Sequence, residues 1–193
     1  MKLALLLDCY GVLYVRPVEL YLSRYPELRQ DISDLYKSFN YGSISVDDFI
    51  DEIAGLTGDD KSEVKIMFNR GLVLISPLVK SIKDNLSDMY YFYVLSNTTQ
   101  SDLDRLCDVE ELRGLPVKSW YSSELLGATK PAKESFDRAT GYIGDAEGFV
   151  LVDDLEQNIR GANLAGWSGV HYTDIESTVS SLEEIYYARA ARS

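Results

Sequence analysis

The sequence predicts an α/β protein built on a doubly wound parallel sheet, Rossmann-like in plan, with a small α-helical cap. Three observations predict this fold. Short apolar segments alternate with helical patterns along most of the 193 residues, polar residues follow several of these segments, and one long helical stretch interrupts the alternation. Strands that alternate with helices form βαβ units, in which the strands lie parallel within one sheet.

The predicted strands are short, apolar or aromatic, and bounded by turn residues, as expected of strands in a sheet that helices cover. They are residues 3–7, 90–95, 117–121, 149–152 and 169–172. Helical patterns follow at 77–88, 100–107, 131–141, 156–165 and 175–189. Pro77 and Pro131 suit the first turn of their helices, where the N–H that proline lacks would have no helical partner.

The long helical stretch lies between the first two predicted strands and contains no clear strand pattern. Amphipathic helices are expected near 18–29, 31–39, 46–56 and 60–70. The chain therefore divides into a core of residues 1–14 and 76–193 and a cap of residues 15–75. Open α/β sheets bind ligands at the carboxyl ends of their strands, so we interpret the cap as a lid over those ends, with extra packing as the alternative.

Composition and charge exclude several classes of function. The chain has 31 acidic and 19 basic residues, and a net charge of −12 repels the phosphates of nucleic acids. No apolar run approaches the roughly 20 residues of a membrane helix, and the run at 3–7 is too short for a signal peptide. The 2 cysteines lack disulfide or metal-site spacing, which indicates a reducing cytoplasmic location. Both a monomer and a homodimer are compatible with the sequence.

Polar residues follow, or closely follow, four of the predicted strands. They are Asp8, the run Ser96-Asn97-Thr98, Lys130, and the pair Asp153 and Asp154. A polar residue after a strand often caps a helix, and this is the alternative for Ser96 or Asp154 taken alone. The carboxyl ends of parallel strands share one edge of the sheet, so we expect the four clusters to converge there.

These residue types form a chemically coherent set. A carboxylate such as Asp8 can attack an electrophile and form a covalent intermediate. The Ser96 hydroxyl and the backbone N–H groups at Ser96 and Asn97 can hold oxygens of the transferred group, and Lys130 can neutralise negative charge. Converging carboxylates repel one another without a cation, so Asp8, Asp153 and Asp154 predict a site for Mg²⁺, which prefers oxygen ligands.

The four clusters resemble, in order, the motifs of the haloacid dehalogenase superfamily. The matching segments are DCYGVL, LSNT, the KP of GATKPAKESF, and VDDLEQNIRGANLAGW. The helical insert after the first motif also matches, so the resemblance covers essentially the whole chain and is greatest to phosphatase-type members with a short cap. It implies that Asp8 is the nucleophile, Ser96 the second-motif hydroxyl and Lys130 the third-motif lysine.

The resemblance also implies a cofactor and an activity. Mg²⁺ would be held by Asp8, Asp154 and the backbone carbonyl of Tyr10, with Asp153 acting partly through water. The implied activity is hydrolysis of a small phosphorylated metabolite through an aspartyl-phosphate intermediate.

Tyr10 departs from the phosphatase pattern, which has a second aspartate two residues after the nucleophile to protonate the leaving oxygen. A phenol, with a pKa of about 10, can donate a hydrogen bond but is a poor base at neutral pH. Three explanations stay open. The protein is a phosphatase whose substrate has a good leaving group, a 2-haloacid dehalogenase-like enzyme with an Asp-x-Tyr-Gly first motif, or an impaired member that serves as a binding or regulatory protein.

The acidic pair Asp153 and Asp154 favours the phosphatase. The resemblance gives the metal-free dehalogenases serine and asparagine at these positions, and an acidic pair disfavours a halocarboxylate substrate. In the cap, Arg16 is the best candidate for a substrate contact because it lies just after the first motif, with a solvated surface arginine as the alternative. Asn158 either orients the aspartates or belongs to its helix alone, and His171 is expected to be packed or exposed rather than catalytic.

Overall fold

A computed structural model describes residues 2–16, 18–40, 43–70, 73–107, 112 and 114–192. In this part of the chain, five parallel strands form one sheet. They are β1 (Leu3–Leu7), β2 (Tyr90–Ser96), β3 (Val117–Ser122), β4 (Phe149–Asp153) and β5 (Ser168–His171). Their order in the sheet is β3-β2-β1-β4-β5. The chain therefore winds outward from β1 in both directions. The predicted doubly wound sheet is confirmed, and each strand lies within one residue of its predicted bounds.

Helices occupy most of the remaining described chain. They are α1 (Val18–Arg24), α2 (Arg29–Asn40), α3 (Val46–Thr57), α4 (Lys61–Arg70), α5 (Ser76–Leu86), α6 (Gln100–Leu106), α7 (Ser123–Leu126), α8 (Lys133–Ile143), α9 (Glu156–Leu164) and α10 (Ile175–Ala190). Helix α7 was not predicted, since four residues carry no hydrophobic period. Helix α8 begins two residues later than predicted because Ala132 is extended, with ψ 136°. Within the described chain, none of these helices is long and apolar enough to cross a membrane.

The chain divides into two compact units, Met1–Leu13 with Ile75–Ser193, and Tyr14–Leu74. The first contains the sheet, and strand β1 is buried along its whole length. On one face Leu6, Tyr93 and Leu151 pack with Phe136 of α8 and Ala162 of α9. Helices cover both faces of such a sheet, which explains why the central strands are continuous apolar runs rather than alternating patterns.

The second unit contains α1 to α4 around its own core, in which Tyr21, Ile32, Phe49 and Val64 are buried. Ser45 caps α3, and its hydroxyl accepts a hydrogen bond from the Asp48 N–H at 3.1 Å.

The prediction of one helix over 18–29 was wrong. Helix α1 ends at Arg24 and a 3₁₀ turn covers Pro26–Leu28, because proline in a helix interior lacks an N–H and disfavours helical geometry in the residue before it.

Candidate active site

The strand register brings three predicted site residues to one edge of the sheet. Leu7 pairs with Val94 of β2 and with Val152 of β4, so Asp8 begins the loop beside the ends of both neighbours. Ser96 is the last residue of β2, and Asp153 is the last residue of β4. All three are buried. This edge is where an open α/β sheet binds ligands, and it is the edge that the sequence predicts.

Lys130 links the carboxylates at this edge. Its side chain is buried, and its Nζ lies 2.8 Å from Asp8 Oδ1 and 2.6 Å from Asp153 Oδ2. The same Nζ donates a third hydrogen bond to the Leu95 carbonyl at 2.8 Å. An ammonium has three N–H donors, so these three acceptors use the whole donor capacity of Lys130 and fix the position of its charge.

Asp153 is held on both oxygens by protein donors. Its Oδ1 accepts hydrogen bonds from the Leu155 N–H and from Asn158 Nδ2, both at 2.9 Å. Its Oδ2 accepts from Asn158 Nδ2 at 3.0 Å, in addition to Lys130. Asn158 therefore orients an aspartate of the acidic pair, which is the first of its two roles weighed from the sequence.

The side chain of Asn97 holds the main chain of Lys130. Asn97 Nδ2 donates to the Lys130 carbonyl at 2.8 Å, and the Lys130 N–H donates to Asn97 Oδ1 at 2.8 Å. The end of β2 thus fixes both ends of the lysine, its main chain through Asn97 and its ammonium through Leu95. The contact of the Asn97 backbone N–H with the transferred group stays a prediction, and the side-chain amide of Asn97 is bound to Lys130.

Helix α7 and the residue before it hold the loop after β2 in a way that sequence analysis missed. The Ser123 hydroxyl donates to the Thr98 carbonyl at 3.2 Å, and the Gln100 N–H donates to Glu124 Oε2 at 2.8 Å. The Ser122 hydroxyl donates to Gln100 Oε1 at 2.9 Å. These are ordinary polar residues without motif spacing, so the sequence contained no signal for this network.

The acidic residues converge closely enough to share a cation. Among the described residues, one carboxylate oxygen from each of Asp8, Asp153 and Asp154 lies within 4.8 Å of the others. A Cβ on Gly11 would overlap the Asp154 carboxylate, and Gly11 has φ 94°, so glycine is required where the first loop meets this aspartate. Three carboxylates facing the one ammonium of Lys130 carry excess negative charge. This oxygen donor set fits Mg²⁺.

The remaining predicted residues lie in different parts of the chain. Tyr10 is half-buried in the loop after β1. Arg16 is half-buried and belongs to the helical unit, where its carbonyl accepts a hydrogen bond from the Glu19 N–H at 3.0 Å. Its contact with a substrate stays a prediction. His171 is exposed at the end of β5, and its Nε2 lies 3.0 Å from the Asp154 carbonyl oxygen.

Burial and charge shift the pKa values of the central pair in the metal-free site. Burial raises the pKa of Asp8 to about 6, with Lys130 opposing the shift and Asp153 adding to it. Burial alone would lower the pKa of Lys130, but Asp153 and Asp8 outweigh it and hold that pKa above its usual value. Lys130 therefore stays charged at neutral pH, while Asp8 gains or loses its proton within the physiological range.

We expect the stability of the metal-free protein to record the shift at Asp8. The folded-state pKa of about 6 lies above the usual value of 3.8, so the folded protein binds this proton more tightly than the unfolded chain. The contribution to the free energy of unfolding is complete below pH ~4 and is lost as the pH rises through ~6. Urea unfolding in EDTA across this range should show that loss in the wild type relative to Asp8→Asn. A difference between the two that does not change with pH would contradict the assignment.

The chain is similar to known proteins in sequence and in fold. No family model matches the chain. The chain is 23% identical over 157 residues to the sesquiterpene phosphatase astK of Aspergillus oryzae, a match that covers 79% of this chain and 80% of that protein.

Two solved structures share the architecture at low sequence identity. The HAD family enzyme BT-2542 of Bacteroides thetaiotaomicron, in complex with magnesium and inorganic phosphate, matches with a TM-score of 0.61 and 22% identity, over 90% of this chain and 95% of that chain. The L-2-haloacid dehalogenase of Xanthobacter autotrophicus matches with a TM-score of 0.69 and 17% identity, over 96% of this chain and 83% of that chain. The chain therefore has the fold of the haloacid dehalogenase-like hydrolases, as its four motifs predict.

Proposed function

We propose that the protein is a Mg²⁺-dependent phosphohydrolase that acts on a small phosphorylated metabolite. The observation that carries this proposal is the cluster of Asp8, Asp153 and Asp154, whose carboxylate oxygens lie within 4.8 Å of one another. Lys130 supplies one positive charge to this cluster. A divalent cation would offset the remaining negative charge, and it would also allow a phosphate dianion to approach a chain whose net charge is −12.

The relatives support the same proposal. The Aspergillus oryzae relative astK is a sesquiterpene phosphatase, and BT-2542 was solved with magnesium and inorganic phosphate. The acidic pair Asp153 and Asp154 supplies carboxylate oxygens of the kind that bind Mg²⁺. These two side chains would instead repel the carboxylate of a halocarboxylate substrate.

Asp8 is the residue that we propose takes up the phosphoryl group. Its carboxylate attacks phosphorus, the bond from phosphorus to the leaving oxygen breaks, and the leaving group departs with the electron pair. Water then attacks phosphorus, and the bond from phosphorus to the Asp8 oxygen breaks. This step releases inorganic phosphate and a proton, and it restores the Asp8 carboxylate. Lys130 orients the carboxylate through its bond to Oδ1. Mg²⁺ held by Asp8, Asp154 and the Tyr10 carbonyl would supply charge neutralisation at the phosphoryl group.

The direct test is phosphate release from acetyl phosphate and p-nitrophenyl phosphate, with Mg²⁺ and with EDTA. Both compounds have good leaving groups, so the missing acid should matter least with them. We expect turnover that Mg²⁺ supports and EDTA abolishes. Equal rates with Mg²⁺ and EDTA, or no release from either compound, would contradict the proposal.

Tyr10 favours a second candidate, a 2-haloacid dehalogenase-like activity. The first motif of the chain contains Asp-x-Tyr-Gly, and the fold matches an L-2-haloacid dehalogenase with a TM-score of 0.69. A halide leaves without a proton, so this reaction needs no acid at position 10. Halide release from chloroacetate in EDTA would establish this activity. Absence of turnover in both assays would favour the catalytically impaired binding protein.

Tyr10 also predicts the leaving-group preference of the proposed phosphatase. General acid–base help is worth roughly 10²–10⁴ in rate, and an alkoxide leaving group needs it far more than an acetate or a nitrophenolate. We expect slow hydrolysis of glycerol phosphate relative to acetyl phosphate. Tyr10→Asp should raise the rate with glycerol phosphate selectively, whereas Tyr10→Phe should not. An unchanged ratio of the two rates in Tyr10→Asp would show that position 10 does not set this preference.

A further inference from the structure

The single histidine of the chain makes a specific bond to the acidic pair. His171 is the last residue of β5, where it pairs across the sheet with Asp153. Its Nε2 lies 3.0 Å from the carbonyl oxygen of Asp154. A carbonyl oxygen only accepts hydrogen bonds, so Nε2 carries the proton and donates it.

This bond lies on the opposite side of Asp154 from the first loop. Strand β4 lies between β1 and β5 in the sheet. On the β1 side, the Asp154 carboxylate lies so close to Gly11 that a Cβ there would overlap it. On the β5 side, the Tyr172 N–H donates to the Asp153 carbonyl at 2.9 Å, and His171 binds the next carbonyl. The main chain that leads into α9 is therefore fixed from β5 at two successive carbonyls.

We propose that His171 is a positioning residue for Asp154. Its bond to the Asp154 carbonyl fixes the turn between β4 and α9, and this turn sets the direction of the Asp154 carboxylate. The inference rests on the proposed function, because it takes Asp154 as a ligand of Mg²⁺. Asp153 is held differently, through its own carboxylate by Lys130 and Asn158. The two neighbouring aspartates thus depend on different supporting residues.

We expect His171 to act on Asp154 through its hydrogen bond rather than through packing, because His171 is exposed. Its side chain is exposed, so its replacement removes little buried surface. A single neutral hydrogen bond changes an equilibrium by roughly 3- to 10-fold. We therefore expect His171→Ala to weaken Mg²⁺ binding by about 3- to 10-fold without unfolding the protein.

Two variants with amide side chains distinguish the effect of the hydrogen bond from the effect of the imidazole ring. The side-chain nitrogen of glutamine can reach the position of histidine Nε2, whereas that of asparagine reaches only the position of Nδ1. His171→Gln should therefore restore most of the Mg²⁺ affinity, and His171→Asn should not. Ser168→Ala, at the other end of β5, is the matched control and should bind Mg²⁺ like the wild type.

The experiment is calorimetric titration of each metal-free protein with Mg²⁺ alone, together with ¹⁵N NMR of the histidine ring. Because the chain has 1 histidine, its ring signals need no assignment. We expect the Nε2-protonated tautomer and a change in the ring signals when Mg²⁺ is added. Equal affinities of wild type and His171→Ala, or an Nδ1-protonated ring, would overturn this inference alone. If the wild type binds no Mg²⁺, the proposed function fails first and this inference fails with it.

Discussion

Asp8→Asn is expected to lower kcat for p-nitrophenyl phosphate by roughly 10³-fold or more, with the fold intact. An amide has the shape of the carboxylate but cannot accept the phosphoryl group. Asp8 is buried, and its burial raises its pKa to about 6, so the wild type already accepts an uncharged side chain here in mild acid. Loss of activity in this variant therefore reports on chemistry rather than on unfolding.

The matched control for this substitution is Asp137→Asn on α8. Asp137 is an exposed aspartate whose partner is the exposed Lys133. Its replacement should leave kcat and the melting temperature close to those of the wild type, since exposed ion pairs contribute about 1 kcal/mol or less. Phosphate release measured under the same Mg²⁺ conditions compares the two variants. An Asp8→Asn protein that keeps a tenth or more of the wild-type kcat would exclude Asp8 as the nucleophile.

Lys130→Met is expected to abolish turnover and to lower the free energy of unfolding by about 3–5 kcal/mol at neutral pH. Lys130 is buried between Asp8 and Asp153, at 2.8 and 2.6 Å. Its removal leaves two buried carboxylates without their shared cation and the Leu95 carbonyl without its donor. Lys130 opposes the upward shift of the Asp8 pKa, so this pKa should rise further in the variant. The cost should shrink as the pH falls through that higher pKa, because protonation of Asp8 relieves the repulsion.

Lys133→Met provides the comparison for Lys130→Met. Lys133 is also paired with an aspartate, at 2.6 Å, but the side chains of both partners are more than half exposed, at 60% and 52%. We expect its loss to change the free energy of unfolding by less than about 1 kcal/mol. Urea unfolding in EDTA at several pH values measures both variants. A similar, pH-independent cost for the two would show that Lys130 does not neutralise buried charge.

The fold was largely predictable because its strands have clear hydrophobic patterns in the sequence. Strand β1 is buried along its full length and reads as an uninterrupted apolar run that ends in a charge, which marks both the strand and its functional end. The end of helix α1 was harder to predict from the sequence. The apolar pattern continues past Pro26, and only the backbone restriction of proline, which competes with that pattern, ends the helix.

The site was predictable where side chains act and less so where the main chain takes part. Asp8 and Asp154 follow strands and Asp153 ends one, so the sheet topology brings the three aspartates together. The bonds from Asn97 to Lys130 and from His171 to the Asp154 carbonyl use backbone atoms, which every residue carries and no motif marks. The roles of residues 15–75 as a lid and of Arg16 as a substrate contact stay predictions.

Detection of a phosphoryl group on Asp8 would establish the proposed covalent mechanism. The wild type with Mg²⁺ is mixed with acetyl phosphate, quenched in acid within one turnover, and digested for mass spectrometry. We expect one added phosphoryl group on the peptide that contains Asp8, and we expect no such group in EDTA or in Asp8→Asn. Turnover with no such group, or with the group on another residue, would contradict it.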